Sequence, residues 1–385
     1  MALTRFHLIL LDGPGRGVFL RREPDGWRLP AFRSDGDWLA AEAEAVREWL
    51  RSTLGLEATV LRQLGAGDGE AGPEVYAEIE AHDPAWAPPP GAGFFGLDDG
   101  ALADLPSGPR QAVEARLREA GGEEGGAPWE RRGWLAEAVA WTDARLAEKG
   151  LARNGPVRQV KAAWAGSAVL AAPTPAGDFY FKATAGTPGE ARILAELAPR
   201  WPGRLPELAA ADPERVWMLT RDMAGEPLRA DDRAGALLRF AEIQAGEAAR
   251  AECFRALGCL DRGPAALAAA AGHLLVEIPA LLAEAGVLSA EEAAELARFR
   301  GRVEAACRRL EELPIPASIH HEDFREGNVV LSAGRPLFFD WADTVIAHPF
   351  FSLQRFLDDV EPPAEGAPWE WRFAADDPRR ALRDA

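Results

Sequence analysis

The sequence predicts an α+β protein made of two parts, and three observations support this. The chain has 385 residues, too many for one ordinary hydrophobic core and enough for two. Short strand-like runs occur together with amphipathic helical stretches before and after residue 120. The polar, glycine-rich stretch 121–128 has little to bury, so we expect it to be a linker between the two parts.

Composition and charge narrow the classes of partner. Hydrophobic residues make up 48% and charged residues 27% of the chain, which is typical of a globular protein. The formal net charge of −18 would repel nucleic acid and anionic membrane surfaces, so neither is expected as a partner. The same charge is compatible with a cationic substrate, although solubility alone also explains it.

The cysteines favour a reducing compartment. There are three, Cys253, Cys259 and Cys307, without a CxxC spacing, which argues against a disulfide framework or a structural zinc site. Residues 1–11 lack the features of a signal peptide, and no uncharged apolar run has transmembrane length. We therefore expect a soluble, cytoplasmic protein.

The first part, residues 1–120, is predicted to be an α+β unit. Asp12-Gly13-Pro14-Gly15 separates two strand-like runs and predicts a hairpin between them. Gly55 follows an amphipathic stretch and is expected to end a helix there. The predicted elements are strands at 6–11, 18–22, 58–64 and 75–79, and helices at 38–54 and 111–120.

The second part is predicted to begin with strands and to continue mainly with helices. Ser289 and Glu292 form a capping-box pattern that opens a helix. Spacings of three and four residues predict the apolar side of this helix to be Leu296, Phe299, Val303, Cys307 and Leu310. The other predicted elements are helices at 134–149 and 189–197 and strands at 157–164, 167–172, 178–183 and 216–220.

The residues with the clearest chemistry lie between 320 and 343. Asp323 and Asn328 are five residues apart in a loop that contains Gly327, and two apolar runs follow. The turn at 332–336 predicts a hairpin that brings Asn328 close to Asp340, at the end of the second run. Two oxygens there can hold magnesium while Asp323 faces an acceptor hydroxyl.

The motifs His321-x-Asp323-x-x-x-x-Asn328 and Asp340-Trp341, with the stretch 347–353, resemble the aminoglycoside phosphotransferase family. This family shares the protein-kinase-like fold, and the resemblance covers about residues 134–357. It implies a bilobal domain at 129–385, with an N-lobe at about 129–222 and a C-lobe at about 223–385. It also implies ATP and Mg²⁺ as cofactors. Ser352 departs from the family pattern, which usually has Asp at that position.

The resemblance also implies a nucleotide site in the N-lobe. Lys182 would contact the ATP phosphates, and Glu190, on the next predicted helix, would pair with this lysine. Ser167 lies where the fold places its phosphate-covering turn. Leu219 and Thr220 lie in the segment that would form the hinge beside adenine.

Two further residues of the loop have predicted roles. Arg325 stands two residues after Asp323, where protein kinases have a lysine that meets the γ-phosphate, and we expect it to neutralise charge during transfer. His321 is expected to brace the loop, since Asp323 already serves as the base. A zinc site at His320, His321 and Asp323 lacks a further spaced Cys or His ligand.

The first part resembles a Nudix hydrolase domain in the stretches 6–11, 26–30, 42–56 and 97–102. A working Nudix box presents several glutamates on one helical face to hold magnesium. Anchored on Arg47-Glu48, the next acidic pair of the box falls on Arg51 and Ser52. Anchored on Gly55 instead, it falls on Ser52 and Thr53. We therefore expect an inactive Nudix-like domain that serves in docking or regulation, with an unknown protein partner.

Three functional hypotheses follow. The first is an ATP- and Mg²⁺-dependent phosphotransferase acting on a hydroxyl of an amino sugar, sugar or amino alcohol, with Asp323 as base. The second is a catalytically weak nucleotide-binding or regulatory protein, a pseudokinase with an inactive Nudix-like domain. The intact set of Lys182, Asp323, Asn328 and Asp340 argues against the second. The third is Nudix-type hydrolysis by the first part, which lacks most of the glutamates it would need.

Overall fold

The computed structural model describes residues 3–35, 43–69, 72–83, 85–119, 126–161, 166–185 and 189–360, with only the backbone for 357–360. The chain divides into two compact units. Unit 1 contains Met1–Ala185 and Trp217–Asp222, and unit 2 contains Gly186–Val216 and Met223–Ala385.

Strands and helices are mixed along the described residues, so the α+β class predicted from the sequence is confirmed. Up to residue 185 the elements are β1 (Thr4–Leu10), β2 (Val18–Glu23), β3 (Gly26–Arg28), β4 (Ala31–Ser34), α1 (Ala43–Leu54), β5 (Ala58–Gly69), β6 (Gly72–Ala81), β7 (Ala92–Phe95), α2 (Ser107–Glu119), α3 (Trp134–Ala147), β8 (Arg158–Gln159), β9 (Ser167–Ala172) and β10 (Phe179–Thr184).

The remaining elements continue in the same numbering. They are α4 (Glu190–Leu197), β11 (Leu208–Asp212), β12 (Trp217–Arg221), β13 (Gly225–Pro227), α5 (Arg233–Glu247), α6 (Ala251–Leu257), α7 (Pro264–Gly272), α8 (Ile278–Glu284), α9 (Ala290–Glu311), β14 (Ser318–His320), β15 (Val329–Ser332), β16 (Arg335–Phe338), β17 (Val345–Ala347) and α10 (Phe350–Val360).

The N-terminal strands of unit 1 form two sheets, with orders β4-β1-β6-β5 and β3-β2-β7. The predicted hairpin between the first two strands is wrong, because β1 pairs with β4 and β6 while β2 pairs with β3 and β7. Only an isolated bridge between Leu11 and Val18 joins them. Both edges of β1 are already occupied, so β2 finds its partners elsewhere.

Helix α1 covers one face of the first sheet. Its buried residues Val46 and Leu50 pack into a core that includes Phe6 and Leu8 of β1. Gly55 ends the helix in the left-handed conformation, with φ +60°, as the sequence predicts. The beginning of the predicted helix, 38–42, lies outside the described residues.

A buried ion pair joins β6 to α2. Nε and Nη2 of Arg116 donate to the two carboxylate oxygens of Glu78 at 2.7 and 2.9 Å, and both side chains are buried. Arg62 adds a third bond to Glu78, at 3.0 Å. Removing one partner would leave a buried charge without its counter-ion, which is costly.

The other sheet of unit 1 contains the strands β12, β10, β9 and β8 in that order. An edge-to-face cluster of rings from α3, β10 and β12 fills one side of this sheet, and its members are Trp134, Trp141, Phe181 and Trp217. The burial of alternate residues along β10 leaves Tyr180 and Lys182 together on its other face, as period two predicts.

Three contacts tie this second sheet and α3 to the N-terminal sheets within unit 1. The side-chain amide of Gln159 bonds to the backbone N–H and carbonyl of Val60, at 3.0 and 2.8 Å. The N–H of Gly133 donates to Glu80 Oε1 at 2.7 Å, and Arg132 donates to the carbonyl of Asp12, also at 2.7 Å. These bonds make the two regions one compact unit.

Unit 2 contains the sheet β13-β15-β16 and the antiparallel pair β14–β17. The predicted hairpin is confirmed, since Val329 of β15 lies opposite Phe338 of β16. Its turn places Ala333 and Gly334 in the left-handed region, with φ +49° and +72°. This geometry matches the two-residue turn of a tight hairpin.

The helices α7 to α9 expose much apolar surface. The helical run Pro264–Glu284 contains an 18-residue stretch with a mean hydropathy of 1.8, and 11% of this stretch is buried. Among the described residues it is the one helix that is long and apolar enough to cross a membrane. By length and composition alone this is weak evidence, and the run contains Glu277.

Helix α9 begins as the sequence predicts but packs differently. Ser289 and Glu292 form both bonds of the capping box, so that prediction is confirmed. The predicted apolar side is buried at Cys307 but not near the start of the helix, where Leu296 and Phe299 are 37% and 40% exposed. The ring of Phe299 lies under the guanidinium of Arg302, 5.2 Å away, rather than in a core.

Candidate functional site

The loop that contains Asp323 connects β14 to β15 in unit 2. Strand β14 pairs with β17, with Ser318 opposite Ala347 and His320 opposite Val345. After the loop, a short 3-10 turn, Glu326–Asn328, leads directly into β15. The loop is therefore anchored at both ends by paired strands.

Three side chains hold the carboxylate of Asp323. Its Oδ2 accepts from Arg325 Nε and from Asn328 Nδ2, both at 2.9 Å. Its Oδ1 accepts from Arg355 Nη2 at 3.1 Å. Burial alone would raise the pKa of Asp323, but the hydrogen bonds from Arg325 and Arg355 outweigh it and lower the pKa below its usual value. The group is therefore a carboxylate at neutral pH.

Asn328 connects Asp323 to the second acidic position. Its Nδ2 also donates to the main-chain carbonyl of Asp323, at 2.8 Å. The main-chain carbonyl of Asn328 accepts a hydrogen bond from the N–H of Phe339, the residue before Asp340, at 3.1 Å. Because the amide nitrogen is committed to Asp323, the amide oxygen is the atom that could ligate a cation.

The backbone around Asp340 is held on both sides. His321, which is completely buried, bonds through Nε2 to the carbonyl of Phe339 at 2.9 Å, in agreement with its predicted bracing role. The N–H of Trp341 donates to Glu190 Oε1 at 2.9 Å. Asp340 itself has φ +65°, a left-handed conformation that is rare outside glycine.

Glu322, in the loop between β14 and β15, also has a positive φ, of +59°. Such conformations cost free energy and persist only where the surroundings enforce them, and they concentrate at functional sites. Here one of them directly precedes Asp323 and the other is at Asp340. Strained backbone is therefore found at Asp340 and at the residue before Asp323.

Aromatic rings support the loop from behind. Phe324 stacks on Phe240 of α5, with ring centroids 4.0 Å apart, and on Phe356 of α10, at 4.8 Å. Trp341 stacks on the same Phe240 at 5.8 Å. This packing fixes the position of the residue after Asp323 and of the residue after Asp340.

Ser352 of α10 is also built into the site. Its Oγ lies 2.6 Å from His320 Nδ1 and accepts from Gln244 Nε2 at 3.1 Å, all of them buried. Burial, with the charges of His321 and Arg262, lowers the pKa of His320 to about 4. The serine thus keeps a hydrogen bond to a neutral histidine where the family pattern has a carboxylate.

Four of the five predicted nucleotide residues, Ser167, Lys182, Leu219 and Thr220, lie on the second sheet of unit 1, whereas Glu190 is the first residue of α4 in unit 2. Lys182 is opposite Val169 in β9 and Met218 in β12. Ser167 is the first residue of β9, and residues 162–165 of the predicted phosphate-covering turn lie outside the described residues. Their predicted contacts with a nucleotide stay predictions.

The hinge segment is a strand with little side-chain exposure. Leu219 is completely buried opposite Phe181, and Thr220 is nearly buried opposite Tyr180, to whose carbonyl its Oγ1 donates at 3.4 Å. Any role of Leu219 beside adenine would therefore fall to its backbone. The pairing of Glu190 with Lys182 likewise stays a prediction.

Sequence reasoning missed Arg355. It lies 32 residues after Asp323, and nothing in its neighbourhood marks it as functional. One signal was present, since Ser352 and Phe356 lie three residues before and one after it on the amphipathic helix α10. Those two side chains face the loop, which places Arg355 near the same side.

Comparison with known proteins identifies the family. The model of the phosphotransferase enzyme family matches residues 156–382, more than half of the chain. The chain belongs to this family. The resemblance of the second part to phosphotransferases is thereby confirmed. No curated protein matches this chain.

Several solved structures are similar to this chain. A choline/ethanolamine kinase family protein from Mesorhizobium loti shares 18% identity over 59% of this chain and 72% of its own, with a TM-score of 0.38. A choline kinase from Streptococcus pneumoniae shares 16% over 60% and 77%, with a TM-score of 0.40.

Nudix structures also match the N-terminal part of this chain. One is an ADP-ribose pyrophosphatase from Streptococcus suis, with 18% identity over 32% of this chain and 96% of its own and a TM-score of 0.26. This chain spans 42% of the length of another matching structure, from Sinorhizobium meliloti.

Proposed function

We propose that this phosphotransferase uses ATP and Mg²⁺ to phosphorylate a hydroxyl group of a small molecule, with Asp323 as the base. The observation that supports this most directly is the chain of bonds from Asp323 through Asn328 to Phe339, the residue before Asp340. These bonds link the loop that carries Asp323 and Asn328 to the segment after β16 that carries Asp340, which supports a role of Asp323 as base and of Asn328 and Asp340 as oxygen ligands. Phosphoryl transfer requires mainly such positioning and charge neutralisation.

The residues present fit a magnesium ion. Within the described ranges no group of three or more His, Cys, Asp or Glu side chains could hold a metal by itself. Magnesium, however, is usually held by one or two protein oxygens together with substrate phosphates and water. Asn328 and Asp340 would supply those protein oxygens. When bound, Mg²⁺ neutralises the charge of the phosphates.

Asp323 and Arg325 would act on the transferred group. The lowered pKa of Asp323 keeps it ionised at neutral pH, so it can accept a hydrogen bond from the acceptor hydroxyl and orient it. Arg325 lies against Asp323 with 40% of its side chain exposed. It can therefore turn a guanidinium N–H toward the charge that develops on the phosphoryl oxygens.

The nucleotide residues and domain limits are part of the same proposal. Lys182 and Ser167 would contact the phosphates, Glu190 would pair with Lys182, and the backbone of Leu219 and Thr220 would lie beside adenine. The phosphotransferase domain would span 129–385 and follow an inactive Nudix-like domain at 1–120 and a linker at 121–128. We place this activity in the cytoplasm.

Thermal unfolding with ATP and Mg²⁺ tests the proposal. A ligand at one hundred times its dissociation constant should stabilise the protein by about 2.7 kcal/mol, seen as a higher melting temperature. The shift should need Mg²⁺ and should disappear in Asp340→Ala, while exposed Asp343→Ala serves as the matched control.

Turnover separates the proposed function from its alternative. Release of ADP with hydroxylated acceptors would support the kinase, and it should be lost in Asp323→Asn. A nucleotide shift that persists without any acceptor-dependent turnover would favour the catalytically weak, regulatory protein. No shift at millimolar ATP would count against nucleotide binding altogether.

A further inference from the structure

The guanidinium of Arg355 lies against the oxygen of Asp323 that a substrate would use. A carboxylate oxygen accepts about two hydrogen bonds. The Oδ2 atom already accepts two, from Arg325 and Asn328, whereas Oδ1 accepts one, from Arg355 at 3.1 Å. An acceptor hydroxyl would therefore bond to Oδ1 and lie directly beside Arg355.

Arg355 has donors to spare and is held in place. Its bond to Asp323 uses one N–H of a group that has five, and 41% of its side chain is exposed. Within the described part of the chain it makes no other polar contact. Its neighbours on α10 are anchored, since Phe356 stacks on Phe324 and Ser352 bonds to His320.

The charges around Asp323 leave an excess of arginine. Two guanidinium groups, Arg325 and Arg355, face this one carboxylate. The carboxylates on either side have arginine partners of their own, in the pairs Glu322–Arg262 and Glu326–Arg233. Asp343, close to Glu322, is exposed, and water screens its charge. Apart from Asp340, whose charge a bound Mg²⁺ would offset, the described charged groups that contact Asp323 are therefore cationic, in contrast to the net charge of −18 of the whole chain.

We propose that Arg355 binds an anionic oxyacid group of the acceptor, a carboxylate or a phosphate, so that the phosphotransferase acts on acidic rather than cationic hydroxylated molecules. This inference rests on the proposed function. A guanidinium binds carboxylates and phosphates through paired N–H donors, which suits the free edge of Arg355. Because Arg355 contacts Asp323, the anionic group and the reacting hydroxyl must be a few bonds apart.

The transfer step forms one bond to phosphorus and breaks one. The acceptor oxygen forms the new bond to the γ-phosphorus, and the bond from that phosphorus to the β,γ-bridging oxygen breaks. ADP leaves with that electron pair, and the hydroxyl proton passes to Asp323. Arg355 touches only the unreactive end of the acceptor, so it is a specificity residue rather than a base.

Matched acceptors test the proposal in the full-length protein. One series compares glycerate with glycerol and with the amino alcohol serinol. The other compares glucose 6-phosphate with glucose and glucosamine, so that carboxylate and phosphate are tested separately. We expect kcat/KM to be highest in its series for either glycerate or glucose 6-phosphate. The series in which this occurs shows whether the anionic group is a carboxylate or a phosphate.

Variants assign the preference to Arg355. A hydrogen bond to a charged group contributes about 1.5 to 3 kcal/mol, so Arg355→Met should lower the ratio of kcat/KM for the acidic to the neutral acceptor by about 10- to 100-fold. Arg355→Lys should keep part of the preference. Arg239→Met, at an exposed position of α5, should leave the ratio of kcat/KM values unchanged.

The outcomes distinguish this inference from the proposed function. Equal or better use of the neutral and cationic acceptors, with a ratio unchanged in Arg355→Met, would overturn the inference alone. If no acceptor turns over, melting shifts with glycerate and with glucose 6-phosphate test binding directly. The inference about Arg355 is also overturned if both shifts are the same in Arg355→Met as in the unmodified protein. Failure to bind ATP with Mg²⁺ would overturn both proposals.

Discussion

Glu190 Oε1 accepts a hydrogen bond from the backbone N–H of Trp341, so the first residue of α4 is bonded to the residue after Asp340. Both residues are buried. Gly189, just before, has φ +81°, and a Cβ there would collide with Val216. The position of α4 is therefore narrowly defined, and through Glu190 it determines where the backbone of the proposed metal ligand lies.

Two substitutions of Glu190 distinguish the effect of its hydrogen bond to Trp341 from the effect of its charge. Glu190→Ala leaves the buried N–H of Trp341 without its acceptor, and we expect the free energy of unfolding to fall by about 1 to 3 kcal/mol. Glu190→Gln keeps an acceptor oxygen and should lose less. Urea denaturation of both variants measures this, and equal losses would show that the bond to Trp341 is not the cause.

The substitution Asp323→Asn should abolish turnover but not nucleotide binding. The amide cannot take the proton of the acceptor, so we expect kcat to fall by about 10²- to 10⁴-fold. The melting shift with ATP and Mg²⁺ should persist, because the proposed metal ligands are Asn328 and Asp340. Single-turnover ADP release measures the first effect, and near-normal kcat in the variant would contradict the role of Asp323 as base.

Local patterns were predictable from the sequence because the residues that decide them are neighbours. The capping box at Ser289 and the hairpin of β15 and β16 depend on adjacent residues and on turn geometry. The motif around Asp323 was visible for the same reason, since five residues separate it from Asn328. These features needed no knowledge of tertiary packing.

Long-range contacts were not predictable in this way. The bond between Arg355 and Asp323 depends on how α10 packs, and the bond between Glu190 and Trp341 spans 151 residues. The wrong hairpin has the same origin, because the nearly continuous buried run of β1 suits any partner strand. Only the packed sheet shows that β4 and β6 take both of its edges.

Gln159→Ala should weaken unit 1. Its amide bonds to both backbone groups of Val60, on the outer edge of β5, and so closes that edge like a short added strand. Losing both bonds should lower the free energy of unfolding by about 1 to 3 kcal/mol. Urea denaturation measures the loss, and Gln111→Ala, exposed on α2, is the matched control.

An intermediate variant tests whether both bonds matter. Gln159→Glu keeps an acceptor for the N–H of Val60 but loses the donor to its carbonyl, so its loss should exceed that of the control. If Gln159→Ala is as stable as Gln111→Ala, the two bonds do not hold the sheets of unit 1 together.

Buried histidines should make the protein less stable in mild acid. Burial, together with His321 and Arg262, lowers the pKa of His320 to about 4, against 6.5 for an unperturbed histidine. The unfolded chain therefore binds a proton over this pH interval that the folded protein does not. The stability from neutral His320 is complete above pH 6.5 and is lost progressively as pH falls toward about 4, up to about 3 kcal/mol.

His320→Gln isolates this effect. The variant removes the titrating group beside Ser352, so its free energy of unfolding should depend less steeply on pH between about 6.5 and 4 than that of the unmodified protein. His82, whose pKa burial also lowers to about 4, should contribute a similar slope, so His82→Gln should flatten the curve as well. His273→Gln, at an exposed position, is the control. Urea denaturation at several pH values gives the slopes, and an unchanged slope in His320→Gln would mean that His320 is not neutral in the folded protein.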